Sequence, residues 1–442
     1  MISLFFTIAG ILIILGAMLG VLRAAQHRYQ LHPEFSRKAA HIITGLICLS
    51  FPWIFTQLWP VLVLTLAITA VLLSLRLVPH LKNQLGGVLG GVERDSLGEI
   101  YFPIAVAATF WLAQGNWILY FIPVLVLTVA DSVGALVGLR YGIFRFQTDE
   151  GEKSAEGSIA FFSAAFLSAH VPLLLFTSIG RAECLLIGLT IGFLIMLLEA
   201  ISWRGLDNLF IPIGTLYLLK LYWSMDALHL GLRLAVLTCL AILSLYWRKR
   251  TTLSDSALMA AALAGYGLWA FGGWSFLVGP LLLFALYLLL PGFDPVTRPI
   301  QNLHAVTRVI GGAYLYLFVA LNTGNDIGWR PFHLCVACHA GNIIGARLLV
   351  LRPNFSKTRV IFIAWLVPIL LFAPALLCFI PIRSWAISIA LLALAVLTSV
   401  LAFTKYWSPI TPPPDRQLRQ WYVESAIAPL AASIGLFILF TR

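Results

Sequence analysis

The chain has 442 residues, of which 60% are hydrophobic and only 11% are charged. Water-soluble domains carry about 25% charged residues, so the composition excludes a soluble globular enzyme and predicts an integral, multi-pass membrane protein. The formal net charge of +11 is spread over many short polar segments without a nucleic-acid-binding motif, so we expect no nucleic-acid partner.

Apolar windows of nearly the length that a membrane span needs recur along the whole chain. They predict an all-α polytopic membrane protein with about sixteen transmembrane helices. The windows are 2–22, 39–55, 58–78, 99–114, 117–138, 157–179, 183–201, 206–222, 227–247, 256–271, 273–291, 304–323, 331–350, 360–380, 384–403 and 422–441. We interpret the first window as a retained span, because no basic residue precedes it and no small-residue cleavage site follows it.

The basic residues predict an orientation. If the N-terminus lies outside and the spans alternate, most of the 29 Lys and Arg residues fall in cytoplasmic loops, as the positive-inside rule expects. The resulting basic cytoplasmic face favours anionic lipid headgroups or an anionic soluble substrate. In a bacterium, this protein is expected in the cytoplasmic membrane.

The first unusual polar segment, SRKAAHIITG at 36–45, lies where the second span enters lipid from the cytoplasm. In a helix, Arg37, His41 and Gly45 are spaced four residues apart, so one stripe presents a cation, an imidazole and a gap, with Lys38 beside it. The alternative interpretation is that the two cations only anchor the helix end at the membrane surface.

The next two polar segments flank the fourth and fifth spans. ERDSLGEIYFP at 93–103 carries Arg94 and could equally be a solvated loop. ADSVGALVGLRYG at 130–142 places Asp131 seven residues before Gly138, or about 10 Å inside the cytoplasmic boundary. An ionisable group at that depth is costly, so Asp131 is a predicted functional residue.

A polar loop, DEGEKSAEGS at 149–158, then precedes the sixth span. Lys153, Ser154, Glu156 and Gly157 bring a cation, a hydroxyl, a carboxylate and a glycine to a helix N-terminus, where backbone N–H groups and the helix dipole favour phosphate. A plain charged turn is the competing account.

The last of these segments follows the seventh span. Glu199 lies near its cytoplasmic end, and GLDNLFIPIG at 205–214 adds Asp207 and Asn208, which could simply cap the next helix. Carboxylate and amide oxygens suit Mg²⁺, and cations with glycine-rich turns suit phosphates. The inventory predicts phosphoryl transfer at a cytoplasmic mouth, although the chain has no P-loop and no kinase glycine-rich loop.

Five motifs in this order carry a family resemblance: RKAAHIITG, R-x-S-x-G-E-x-x-F-P, AD-x-x-x-x-x-x-G-x-x-Y-G, EKSAEGS, and E-x-x-S followed by G-L-D-N-L-x-x-P. Over roughly residues 30–220, the sequence resembles the CTP-dependent polyprenol kinase family, which includes dolichol kinase and phytol kinase. Phosphatidate cytidylyltransferase is a related family that shares the Asp-containing span and the Lys-Ser/Thr…Glu-Gly loop. Its usual closing His-Gly-Gly…Asp-Arg-x-Asp segment is replaced here by SWRGLDNLFIP.

The resemblance implies that a phosphoryl group passes from CTP to the hydroxyl of a membrane prenol, with CDP leaving. In this interpretation Asp131 and Asp207 hold Mg²⁺, and Asp131, His41 and Glu199 serve catalysis, with Glu199 or His41 orienting or deprotonating the alcohol. The nucleotide is held by a larger set: Arg37, Lys38, Arg94, Lys153, Ser154, Glu156, Gly157 and Asn208. The nucleoside triphosphate would enter from the cytoplasm and the lipid alcohol laterally from the membrane.

The chain is predicted to divide into a kinase-like membrane domain at 1–225 and a second membrane domain of unclear role at 226–442. Residues 251–290 faintly resemble a membrane family linked to phytyl-phosphate phosphorylation. A basic segment with Asp294, Arg298, His304 and Arg308 could touch lipid phosphate or merely anchor the membrane surface.

Cysteines raise one further question. All six lie in or near apolar segments, which predicts no disulfide framework. Cys335, Cys338 and His339 have haem-attachment spacing, and His333 is nearby, so haem attachment, metal binding and plain helix packing stay open.

Two other functions compete with the lipid-alcohol kinase. A cytidylyltransferase would make a CDP-lipid and release pyrophosphate from CTP. A lipid transporter or flippase would also have many spans, but it predicts broken helices at the midplane, whereas the acids here lie toward one face.

Overall fold

The computed structural model describes residues 2–77, 97–148, 151–202, 204–248, 251, 253–290, 303–323, 325–406 and 414–440. Its contacts divide the chain into two compact units, Met1–Thr238 and Cys239–Arg442. The division falls inside a helix, a short distance beyond the predicted boundary at 225/226. That predicted boundary stays a prediction.

Helices make up nearly all of the first unit. The helices are α1 Ile2–Tyr29, α2 Pro33–Leu49, α3 Phe51–Ile54, α4 Leu58–Leu77, α5 Gly98–Ala113, α6 Trp117–Tyr141, α7 Ala155–Phe176, α8 Arg181–Ile201, α9 Asp207–Tyr222 and α10 Ala227–Trp247. A two-stranded antiparallel sheet, β1 Arg145–Thr148 and β2 Gly151–Ser154, joins α6 to α7. It is the one sheet in the described residues, and the apolar-window analysis did not anticipate it.

Helices also build the second unit. They are α11 Asp255–Gly272, α12 Trp274–Leu289, α13 Leu303–Thr323, α14 Asn325–Leu351, α15 Lys357–Leu377, α16 Trp385–Tyr406 and α17 Pro414–Ala432, with 3₁₀ turns at Ile382–Ser384 and Ser433–Phe440. Its core is formed around α14, whose buried side chains contact α13, α15, α16 and α17.

The prediction of an all-α membrane protein is confirmed. Among the described residues, ten helices are long and apolar enough to span a bilayer. Each predicted window falls on a helix, but some are short: α2 ends at Leu49 and a separate turn, α3, follows it. The count of sixteen spans and the outside N-terminus stay predictions.

Local sequence explains where several of these helices begin. Asn116 begins α6 by accepting hydrogen bonds from the backbone N–H groups of Ile118 and Leu119, and Ser154 begins α7 by accepting one from Gly157. Pro33 occupies the first turn of α2, where a missing N–H costs nothing. These caps fix the ends of the helices that carry the predicted site.

Glycines bring α6 and α7 into the most extensive helix contact of the first unit. A Cβ atom built on Gly157 would lie 2.9 Å from the carbonyl oxygen of Gly134 and 3.0 Å from the Cα atom of Gly138. A Cβ on Gly45 of α2 would likewise collide with Thr128 of α6. The gap predicted after His41 is therefore filled by a neighbouring helix.

We predict that Gly157→Val lowers the free energy of unfolding by about 1–3 kcal/mol, because its side chain must push α6 and α7 apart. The measurement is denaturant or thermal unfolding in detergent micelles. Gly231→Val on α10 is the matched control, since nothing lies within 4 Å of a Cβ atom there. Equal losses in both variants would contradict the close α6–α7 contact.

Candidate active site

A buried ion pair joins α2 to α6. Lys38 Nζ donates a hydrogen bond of 2.7 Å to Asp131 Oδ2, and both side chains are more than nine-tenths buried. His41, one turn along α2 from Arg37, places Nε2 3.5 Å from the same Oδ2 and 3.2 Å from the carbonyl oxygen of Leu127. Because a carbonyl only accepts, the hydrogen on Nε2 points toward Leu127.

Arg37 is held by an acid of its own helix. Its guanidinium donates to both carboxylate oxygens of Glu34, with Nε–Oε2 and Nη2–Oε1 distances of 3.1 and 2.6 Å. A bidentate pair of this kind fixes the direction of the guanidinium plane. Arg37 also interacts electrostatically with Asp131 and Asp207, so it lies on the rim of the same site.

The hairpin carries the third cation. Lys153 lies on β2 opposite Phe146 of β1, and its Nζ donates 2.6 and 2.8 Å hydrogen bonds to the backbone oxygen and Oε1 of Glu199 at the end of α8. That carbonyl belongs to the last turn of α8, where the helix dipole favours a positive charge. Lys153 thus attaches the hairpin to α8 beside the site.

Asp207, in the first turn of α9, is the last charged residue of this group. Its carboxylate interacts electrostatically with Asp131, Lys153, Lys38 and Glu199, which come from four other elements. Asp207 Oδ1 also accepts a 2.9 Å hydrogen bond from the backbone N–H of Asn208. Five of the predicted residues, Asp131, Asp207, Lys38, Lys153 and Glu199, therefore lie near one another.

The donor set at α9 fits a magnesium ion that is held jointly with substrate phosphates. Asn208 is 7% exposed, and no described group donates a hydrogen bond to its buried Oδ1. This acceptor belongs to the residue that follows Asp207, and oxygen atoms are the ligands that Mg²⁺ prefers. Within the described residues, no group of three or more His, Cys, Asp or Glu side chains could hold a metal ion without such help.

Three residues of the predicted phosphate loop have structural partners. Ser154 caps α7, Gly157 packs against α6, and the Glu156 carboxylate accepts backbone hydrogen bonds from Ile143 and Phe144 at 3.1 and 3.2 Å. These contacts hold the hairpin and α7 in place. Their part in nucleotide binding stays a prediction, and Arg94 lies outside the described residues.

Sequence reasoning missed two acids near this site. Glu34 was not assigned, although its position three residues before Arg37 allows a helical pair. Glu99 stands in the second quoted motif without a role; it interacts electrostatically with Arg37, and its oxygens make no hydrogen bond or ion pair with the described residues.

Comparison with curated proteins shows to which family the chain belongs. The chain is 30% identical over 209 residues to phytol kinase from Synechocystis sp., which covers 46% of this chain and 85% of that protein. The chain belongs to the polyprenol and phytol kinase family. None of the family models matches it, and no solved structure matches it.

The second unit of this family member buries the cysteine motif. Cys335 and Cys338 are fully buried in the core, and His339 is 3% exposed; among the described residues, its Nε2 has no hydrogen-bond partner. All six cysteines are free, as the scattered spacing predicted. The described residues hold no metal-binding cluster at this motif, and the thiols pack between helices.

The predicted basic segment of the second unit is described only in part. Asp294 and Arg298 lie outside the described residues, and His304 is exposed at the start of α13. Arg308 forms an ion pair with the buried carboxylate of Glu424 on α17. Arg308 therefore has a partner within its own unit, and the contact with lipid phosphate stays a prediction.

We predict that Lys38→Met lowers the free energy of unfolding by about 3–5 kcal/mol, because it leaves the Asp131 carboxylate buried without its counter-ion. The double variant Lys38→Met/Asp131→Asn should recover most of that loss. The measurement is a double-mutant cycle by unfolding in detergent micelles.

The control is Arg145→Met, which removes an ion pair with Glu152 on exposed faces of the hairpin. It should change the same free energy by at most about 1 kcal/mol. If Lys38→Met is no more damaging than this control, or if the double variant is no better than the single, the buried pair is not what stabilises the contact of α2 with α6.

We predict that the purified protein shows no Soret absorbance and binds no stoichiometric zinc, because the Cys335 and Cys338 thiols are enclosed by neighbouring helices. An absorbance spectrum and elemental analysis of the full-length protein measure this. A Soret band, or one zinc per chain that disappears in a Cys335→Ser/Cys338→Ser variant, would contradict the packing role.

Proposed function

We propose that the first unit is a CTP-dependent kinase that phosphorylates a membrane lipid alcohol, such as phytol, dolichol or another prenol, at the cytoplasmic face of the membrane. The observation that carries the proposal is the convergence of Asp131, Asp207, Lys38, Lys153 and Glu199 on one site. Family membership and the activity of the Synechocystis relative support the reaction class.

Three cations of the site are already paired with acids, whereas Asp207 has no ion pair with a described residue. Arg37 is paired with Glu34, Lys38 with Asp131, and Lys153 with Glu199. A magnesium–triphosphate complex presents the same two kinds of charge, because its phosphates attract the cations and its metal attracts the carboxylates. We therefore expect the substrate to bind by exchange of partners, so that neither set of side chains has to be buried without a counter-ion.

In this proposal Asp131, Asp207 and the Oδ1 atom of Asn208 would hold Mg²⁺. The metal would supply charge neutralisation between the β- and γ-phosphates. Lys38, Arg37 and Lys153 would hold the phosphates and stabilise the charge that develops on the leaving diphosphate. The partners of the chain are then a nucleoside triphosphate, a lipid alcohol and the surrounding membrane lipids.

The reaction needs the terminal phosphorus to meet a hydroxyl group at the level of the lipid headgroups. Asp131 lies inside an apolar helix and Lys38 in the second turn of α2, whereas Lys153 and Asp207 lie at hairpin and helix ends. The site thus extends from a helix interior to a polar rim. This arrangement suits an alcohol that arrives from the membrane and a nucleotide that arrives from water.

We predict that the full-length protein in mixed micelles converts phytol and CTP to phytyl phosphate and CDP in equal amounts, and that EDTA stops the reaction. Labelled CTP and product chromatography measure this, with ATP, GTP and UTP compared at equal concentration. Release of pyrophosphate with formation of a CDP-lipid would instead support the cytidylyltransferase reading, and no turnover with any nucleotide and a panel of prenols would contradict the kinase.

Asp207→Asn should reduce turnover by about 100-fold or more, because it removes charge at the proposed metal and phosphate site. Asp226→Asn is the matched control, since Asp226 is exposed and lies beyond the opposite end of α9. Similar turnover in the Asp207→Asn and Asp226→Asn variants would show that Asp207 has no part in the reaction.

A further inference from the structure

Glu99 lies where three parts of the site meet. It is the second residue of α5, and the preceding residue, Leu97, donates a 3.1 Å backbone hydrogen bond to the carbonyl oxygen of Arg204. Arg204 belongs to the loop that leads into Asp207 at the start of α9. The first turn of α5 is therefore fixed beside the loop that delivers Asp207.

The pairing of α5 with α2 gives the position of Glu99 along the site. Phe102 of α5 contacts the ring of His41 edge-on, with ring centroids 4.9 Å apart. Glu99 is one turn before Phe102 and Arg37 is one turn before His41, and Glu99 and Arg37 interact electrostatically. The two helices thus run parallel here, and Glu99 lies one turn nearer the polar rim than the Asp131–His41 contact.

Glu99 and Asp207 differ from the other acids of the site, because neither forms an ion pair with a described residue. Glu34, Asp131 and Glu199 each form an ion pair, whereas no hydrogen bond or ion pair links the Glu99 carboxylate to the described residues. Glu99 is partly buried at the end of an apolar helix. A partly buried carboxyl group that has no partner among the described residues is costly, which indicates a functional reason for its presence.

The groups assigned earlier as candidate bases are already engaged. His41 Nε2 donates to the carbonyl oxygen of Leu127, and Glu199 accepts two hydrogen bonds from Lys153 Nζ, one through Oε1 and one through its backbone oxygen. Protonation of Glu199 would weaken its ion pair with Lys153. Protonation of His41 at Nδ1 would add a third positive charge beside Lys38 and Arg37. The Glu99 carboxylate can accept a proton while Arg37 of α2 keeps its bidentate bond to Glu34.

We propose that Glu99 is a catalytic residue that accepts the hydroxyl proton of the lipid alcohol. This inference rests on the proposed kinase function. The alcohol oxygen forms a bond to the terminal phosphorus of the nucleoside triphosphate, and the bond between that phosphorus and the β–γ bridging oxygen breaks. The hydroxyl proton moves to the Glu99 carboxylate, and the nucleoside diphosphate leaves with the bridging oxygen and its electron pair.

Several charged groups on neighbouring helices will influence the titration of Glu99. Near this end of α5, these groups are Arg37 and His41 on α2, Arg76 on α4, Asp131 on α6 and Asp207 on α9. Glu99 interacts directly with the charges of Arg37 and Arg76. The pH dependence of turnover is therefore the readout that distinguishes a proton acceptor from a residue that only packs.

The test compares wild-type protein with Glu99→Gln in the phytol and CTP assay with Mg²⁺. Glutamine keeps the size of the side chain but does not accept the proton, so kcat should fall about 100-fold or more while the KM for CTP changes by less than about twofold. The acidic limb of the kcat–pH profile should also disappear. Glu99→Asp should restore part of kcat and keep an acidic limb.

Glu183→Gln is the matched control, because Glu183 lies in the first turn of α8, at the opposite end of that helix from Glu199. It should leave both kcat and the pH profile unchanged. Equal turnover in an active wild-type protein and in Glu99→Gln would overturn the role of Glu99 but leave the kinase proposal standing. Loss of CTP binding together with kcat in Glu99→Gln would have the same consequence. An inactive wild-type protein would overturn the kinase proposal itself and this inference with it.

If Glu99→Gln does not fold, Glu99→Asp decides the question. A lower kcat with a displaced acidic limb and an unchanged unfolding temperature supports proton transfer to Glu99. A kcat and an acidic limb identical to those of the wild-type protein would overturn it.

Discussion

The contact between Lys38 and Asp131 is the interaction on which the arrangement of the first unit depends. A carboxylate inside an apolar helix is tolerated only with a compensating charge, and that charge comes from a helix 93 residues earlier in the chain. The pair fixes the position of α2 against α6, brings His41 to Asp131, and sets Arg37 at the rim. Because the buried Asp131 carboxylate needs a counter-ion, α2 has to lie against α6.

Around this pair, the unit combines rigid packing with exchangeable charge. Gly45, Gly134 and Gly157 allow helices to approach so closely that no added side chain fits, which keeps the floor of the site fixed. Each of the three cations of the site forms an ion pair with an acid of the same site: Arg37 with Glu34, Lys38 with Asp131 and Lys153 with Glu199. Such an arrangement can bind a complex that carries both positive and negative charges, because the side chains exchange partners while the helices stay in place.

The sequence was informative about which residues belong together and less so about what each contacts. Helix periodicity placed Arg37, His41 and Gly45 on one stripe of α2, and the cost of burial singled out Asp131, which lies in a buried ion pair; its functional role stays a prediction. The partner of Lys38 was not predictable, because contacts between distant segments depend on packing that local patterns do not encode. The same limit applies to Glu156, whose hydrogen bonds to Ile143 and Phe144 require the β1–β2 hairpin that hydropathy could not reveal.

The β1–β2 hairpin limits which insertions and deletions this part of the chain can accept. Lys153 reaches Glu199 because the alternation of β2 points its side chain toward α8, and the antiparallel register pairs it with Phe146. One residue inserted between Gly151 and Lys153 would turn the lysine to the other face of the ribbon. Homologues should therefore tolerate insertions or deletions in this strand only when an even number of residues is added or removed. A deletion of one residue should be accompanied by the deletion of a second residue nearby.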